Sequence, residues 1–185
     1  MNAPERLEEN RIIEKCLNGD GEDYALLVDR YKDMACTIAC RMMGDWDAAK
    51  DMAQESFIAA YANLKNFRRE SRFSSWLCSI VINKCRDQLR AGKRSVSIDE
   101  VHERASSSCS PEQAAAGREA GDALQKALCE LPVEYREVII LKHMEGLEYR
   151  EITEILGGSV NALKVRAHRG RELLRHALEE KGVVV

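Results

Sequence analysis

"LEYREITEILGGSVNALKVRAHRGRELLRHAL" occupies residues 147–178. It holds two apolar patterns of helical period, joined at Gly157-Gly158-Ser159. In the first, Ile152, Ile155 and Leu156 share a face. In the second, Leu163, Ala167, Gly170, Leu174 and Leu178 advance by three or four and line one face. The glycines permit a tight turn, and Ser159 is placed to cap the second helix. Small Ala167 and Gly170 let that helix come close to its neighbours. The opposite face presents Asn161, Lys164, Val165, His168 and Arg169. This is the pattern of a helix-turn-helix, and its cationic face suits the major groove of a duplex, where Lys and Arg reach guanine edges. The competing reading is a solvated basic face on an ordinary helical hairpin.

A second basic block favours the first reading. Residues 60–94 hold 9 basic and 2 acidic side chains, net +7, and residues 160–176 hold 5 and 1, net +4. The surrounding blocks are acidic: residues 1–59 carry −6 and residues 95–159 carry −7, within a chain of net charge −3. A solvated surface usually intersperses its signs, so two basic blocks in acidic surroundings point to two contacts with a polyanion. The first block contains "NFRRESRFSSWLCSIVINKCRDQLR", residues 66–90, in which Phe67, Phe73 and Trp76 stand among arginines. Cations hold phosphates and rings surround unpaired bases, the combination that single-stranded nucleic acid needs. The plain alternative is that the rings are core. That reading is half accepted here: Phe73 and Trp76 anchor the loop while its backbone forms the pocket.

The rest of the chain reads as helix. Ala, Leu, Glu, Arg and Lys dominate, and no run alternates long enough to argue for a strand. Ile12, Ile13, Cys16 and Leu17 share one face, and Leu27, Tyr31, Met34, Ile38 and Met42 another. Met52, Phe57, Ala60, Tyr61 and Leu64 recur in a third pattern, and a fourth begins near Ser74 or Ser75 as its cap. Ser, Gly, Pro and charge replace periodicity over residues 91–112, which reads as a flexible linker. About 22 extended residues reach roughly 70 Å. The expected fold is all-α: two small helical domains, residues 5–90 and 113–180, on either side of that linker.

Several classes are excluded. No apolar run approaches a membrane span, so no membrane insertion is expected. The N-terminus lacks the basic-then-apolar pattern of a signal peptide, which implies a cytoplasmic protein. Seven cysteines at irregular spacing do not suggest a disulfide framework. Cys36, Cys40, Cys78 and Cys85 sit among apolar residues and read as buried thiols. No Cys-x-x-Cys pair or Cys/His cluster is present, so neither metal nor cofactor is expected. Paired carboxylates in a plausible pocket, a His-x-Glu with cysteines and a phosphate-cradling loop are likewise missing, so an enzyme is not expected.

Residues 51–90, "DMAQESFIAAYANLKNFRRESRFSSWLCSIVINKCRDQLR", resemble the second conserved region of the extracytoplasmic-function sigma factors of bacterial RNA polymerase. Residues 131–174, "LPVEYREVIILKHMEGLEYREITEILGGSVNALKVRAHRGRELL", resemble their fourth region. The resemblance covers nearly all of residues 8–180. It implies an alternative sigma factor that binds core polymerase, recognises and melts promoter DNA, and serves a stress or envelope response under an anti-sigma factor.

The resemblance also implies residue roles. Asp51, Gln54 and Glu55 fall where the family docks on the clamp helices of the polymerase's largest subunit. Lys65, Phe67, Arg68, Arg72, Phe73, Ser74, Trp76, Asn83 and Lys84 fall where it melts and holds the minus-ten element. Lys164, Val165, His168 and Arg169, with Asn161 beside them, fall on the helix that reads the minus-thirty-five element. Lys142 and Tyr149 fall where the DNA backbone is steadied. Some positions depart: Arg69 stands where glycine is frequent and Arg72 where a small residue is. Val165 replaces a frequent serine, Ala162 a threonine and Thr153 an alanine. These bear on promoter sequence. The competing function is an autonomous helix-turn-helix regulator, which needs a dimer interface and tight duplex binding without polymerase.

Overall fold

The computed structural model describes residues 3–19, 21–69, 71–95 and 115–183. Among them are eight α-helices and no strand: α1 (Ala3–Leu17), α2 (Tyr24–Met43), α3 (Trp46–Ala62), α4 (Phe73–Ser95), α5 (Ala115–Glu130), α6 (Val133–Ile139), α7 (Tyr149–Leu156) and α8 (Val160–Glu180). The all-α expectation holds. Helix α4 continues to Ser95, and the rest of the expected linker lies outside the described residues.

Local chemistry sets the boundaries. Helix α2 stops at Gly44, whose φ of 78° is left-handed and whose N–H returns to Cys40 O. Asp45 then caps α3 by accepting from the Ala48 N–H at 2.8 Å. Pro132 precedes α6, which widens at its end into a π-helical turn, Ile140–Met144. Glu148 and Glu151 form a capping box that opens α7.

Helices α1 to α4 pack around Leu27, Ile38 and Met42 of α2, Met52 and Phe57 of α3, and Phe73, Leu77 and Val81 of α4. Polar groups in this interior are satisfied: Tyr24 donates to Phe57 O at 2.8 Å, and Tyr31 donates to the buried Glu9 carboxylate. The C-terminal helices gather Val138, Ile140, Leu141, Ile152, Leu163 and Ala167. Close approach of α8 to α6 requires Gly170, because a Cβ there would sit 3.0 Å from Ile139 Cγ1. The inward faces are those expected, except that Leu17 and Tyr61 are exposed.

Cys36, Cys78, Cys85 and Cys129 are free thiols. Burial pushes the Cys78 and Cys85 thiols up to about 12, so both stay protonated and inert. Cys40 corrects the expectation of buried thiols, since it is disulfide-bonded. Spacing along a chain does not say which sulfurs meet in space.

Candidate nucleic-acid interface

Phe67 and Phe73 are buried, and Trp76 is half-buried. The three rings pack mutually, with centroids 5.8 Å apart for Phe67–Phe73, 5.1 Å for Phe67–Trp76 and 5.6 Å for Phe73–Trp76. Tyr31 of α2 adds a fourth ring 5.5 Å from Phe73. The rings therefore fasten the segment between α3 and α4 to the helical body. Its cations Lys65, Arg68 and Arg72 stand exposed.

Arg69 has φ 59°, a left-handed backbone that favours glycine. The ion pair to Glu14 at 2.6 Å holds it, and Arg6 donates to its carbonyl at 3.3 Å. Helix α4 begins at Phe73, with the Trp76 N–H on Arg72 O at 3.1 Å. Arg72 thus takes the cap position, and Ser74 and Ser75 lie inside the first turn, contrary to the expected cap. Ser74 is half-buried, and the buried Ser75 hydroxyl lies 3.5 Å from Glu151 of α7. Further along α4, Asn83 is exposed and accepts from Arg86 at 3.4 Å.

The outer face of α3 presents Asp51, Gln54 and Glu55, with exposed Ile58 one turn on. Lys84 of α4 reaches across to Glu55 at 3.0 Å. The structure thus joins a residue expected to dock polymerase to one expected to hold DNA.

On α8 the Ser159 hydroxyl accepts from the Ala162 N–H at 3.2 Å, the expected cap. Asn161, Lys164, Val165, His168 and Arg169 are all exposed on one side, and Leu163, Ala167 and Gly170 are buried on the other. Lys142 and Lys164 both approach the Tyr149 ring, at 5.1 and 6.0 Å from its centroid. Lys142 also donates to Leu147 O at 3.0 Å. Three residues from separate stretches of sequence are thereby brought to one place at the entry to the motif.

The chain matches two family models, Sigma-70 region 2 over residues 27–95 and Sigma-70, region 4 over residues 121–174. It is 36% identical over 178 residues to the ECF RNA polymerase sigma factor SigW of Bacillus subtilis, covering 91% of this chain and 95% of that protein. The chain belongs to the extracytoplasmic-function sigma factors. Two solved structures share its fold and most of its length. The sigma factor RpoE of Bartonella quintana, in complex with the anti-sigma factor NepR, has a TM-score of 0.73 and 26% identity over 85% of this chain and 98% of its own. CnrH, in complex with the cytosolic domain of CnrY, has a TM-score of 0.68 and 27% identity over 91% and 96%.

Region 2 and region 4 meet at a seam that sequence reasoning did not find. The Arg41 guanidinium of α2 donates to Gln125 Oε1 of α5 at 3.0 Å, and Gln125 Nε2 donates to Cys40 O at 3.0 Å. Arg136 of α6 is buried and donates to Met42 O, besides Leu131 O at 3.0 Å in its own region. Arg86 of α4 pairs with Glu137 of α6 at 2.6 Å, where the Glu137 residue is only 4% exposed. A Cβ on Gly44 would collide with the Cys129 sulfur of α5, so the end of α2 packs directly against that side chain.

Proposed function

We propose that this chain binds core bacterial RNA polymerase and directs it to promoters as an alternative sigma factor. Residues 5–90 dock the polymerase and melt DNA, residues 113–180 read the upstream element, and residues 91–112 connect them. Asp51, Gln54 and Glu55 form the docking face. Lys65, Arg68, Arg72, Asn83 and Lys84 hold the minus-ten strand. The ring cluster of Phe67, Phe73 and Trp76, with Ser74, shapes the loop that receives a displaced base. Asn161, Lys164, Val165, His168 and Arg169 enter the major groove, and Lys142 and Tyr149 steady the adjacent backbone. The observation that carries the reading is the presence, in one member of this family, of an exposed cationic loop on a ring cluster and a separate cationic helix face.

Displacing a base from its stack costs a few kcal/mol. An acidic chain of this size gains that from a partner which holds both DNA and sigma regions, by effective concentration. The chain itself performs no covalent chemistry and works in the cytoplasm, where the polymerase is. Among the described residues no helix is long and apolar enough to cross a membrane. The complex of the relative RpoE with NepR supports an anti-sigma factor as a further partner. The test adds purified chain to core polymerase and sequences the 5′ ends of the transcripts from genomic DNA. New, shared upstream and minus-ten sequences before those ends are expected. Start sites identical to those of core polymerase alone would sink the reading.

A further inference from the structure

We infer that Glu172 is a positioning residue for the reading helix: it accepts from Nδ1 of His168, leaves Nε2 as an acceptor toward the groove, and so makes His168 select a base that presents an amino group. The inference rests on the function proposed above, in which His168 enters the major groove. Its first support is a charge out of place. Residues 160–176 hold 5 basic side chains, and Glu172 is their one acidic residue. That carboxylate shares the reading face: Lys164, Val165, His168, Arg169 and Glu172 line one shallow hollow on α8. Phosphates repel a bare carboxylate, so its presence on a face that meets DNA calls for a partner there.

Geometry supplies that partner. Glu172 Oε2 lies 3.4 Å from His168 Nδ1, in an i, i+4 pair. Among the described residues its ion pair is with this imidazole, although Arg169 and Arg175 each stand three positions away; Arg175 pairs with Glu179 instead, at 3.8 Å. Side chains of a helix lean toward its N-terminus, so the carboxylate covers the turn that carries His168. Glu172 itself sits about 18 Å along the axis of α8. Base edges are met by the N-terminal part of a reading helix, so Glu172 acts through His168 and not on a base. A neutral imidazole has one donor and one acceptor nitrogen, and the partner of one sets the role of the other. With Nδ1–H on the carboxylate, Nε2 accepts. The donors it can meet in the major groove are adenine N6 and cytosine N4. His168 and Glu172 are 64% and 56% exposed, so water weakens their hold in the free chain. Duplex that covers the face removes this water and strengthens it.

The test is holoenzyme transcription from a library randomised in the upstream element, at about pH 8, where imidazole is ordinarily neutral. Wild type is expected to prefer adenine or cytosine at one position of one strand. His168→Ala and Glu172→Ala are each expected to lose that preference several-fold at the same position. The double variant is expected to lose no more than either, because the two side chains act as one unit. Glu172→Gln keeps an acceptor for Nδ1–H and is expected to keep the preference. The inference is overturned if the Glu172→Ala loss adds in full to that of His168→Ala, falls at another position, or does not occur. Nitrogen NMR of the imidazoles in the full-length free chain reads the tautomer directly. The share of Nδ1–H in His168 is expected to fall in Glu172→Ala, and an unchanged share also overturns the inference. If wild type drives no promoter-selective transcription, the functional reading falls, while the NMR still decides whether Glu172 holds His168.

Discussion

Arg69 shows how one residue records a compromise. The loop needs a left-handed backbone at this position, and a side chain there costs roughly 1–2 kcal/mol relative to the right-handed region. The guanidinium recovers part of that by pairing with Glu14, in the range of about 0–1 kcal/mol for a partly exposed pair. Losing the pair and the extra unfolded-chain entropy of glycine, roughly 0.5–1 kcal/mol, together offset most of the relieved strain, so Arg69→Gly is expected to change stability by less than about 1 kcal/mol. Arg69→Val keeps the strain, adds a branched Cβ and loses the pair, and should destabilise by about 1–3 kcal/mol. Urea melts of the two variants separate these cases, and a Gly variant far less stable than the Val variant would contradict the account. Lys164 poses a different question, since it is exposed and stands by Tyr149. A base contact discriminates by roughly 1–3 kcal/mol, whereas a phosphate contact weakens every sequence alike. Lys164→Ala is expected to alter which upstream sequences are used when holoenzyme transcribes a library randomised in that element. Uniform loss with an unchanged preferred sequence would assign Lys164 to the backbone.

At the scale of elements, α8 is positioned by absence of bulk. Gly170→Leu must push α8 from α6, because even a Cβ lies 3.3 Å from Tyr135 Cβ and closer still to Ile139. The overpacking should cost about 1–3 kcal/mol and displace the reading face. Upstream selection should fail while polymerase docking persists, because α3 lies in the other region. On α3 itself, reversing the charges of Asp51 and Glu55 should abolish binding to core polymerase without lowering helix content. Unchanged affinity in a pull-down with core polymerase would remove the docking assignment. These elements were legible in the sequence because helical period, caps and small residues act over three or four positions. Ser159 and the Leu163–Ala167–Gly170 stripe are examples. Tyr61 was misread as inward because its neighbours Ala60 and Leu64 already fill that face. The cap of α4 was misplaced since Ser74 and Ser75 are good caps wherever a helix starts, and Phe73 burial draws the start earlier. The seam was illegible. Arg136 meets Met42 and Arg86 meets Glu137 across 94 and 51 positions, and no local pattern marks either partner.

For the whole molecule, the two cationic surfaces are separate in sequence and sit on separate regions, so they should act on separate steps. On the proposed function, upstream duplex is bound before the strands part, and this step uses the α8 face. On the same proposal, opening uses the loop, where Arg68 and Arg72 are exposed beside the ring cluster. Single strands gain from such cations beside rings, whereas duplex gains only from the charge. Arg68→Ala with Arg72→Ala should therefore reduce permanganate reactivity of promoter thymines much more than it reduces the closed complex seen by DNase protection. Lys164→Ala should reduce the closed complex and leave the opened fraction of bound promoters nearly unchanged. Effects at distant sites without shared partners add in free energy to within about 0.3–0.5 kcal/mol. The triple variant is expected to show the product of the two losses. A triple variant no worse than its weaker parent would mean that both surfaces serve one step, and the division of labour between the regions would have to be abandoned.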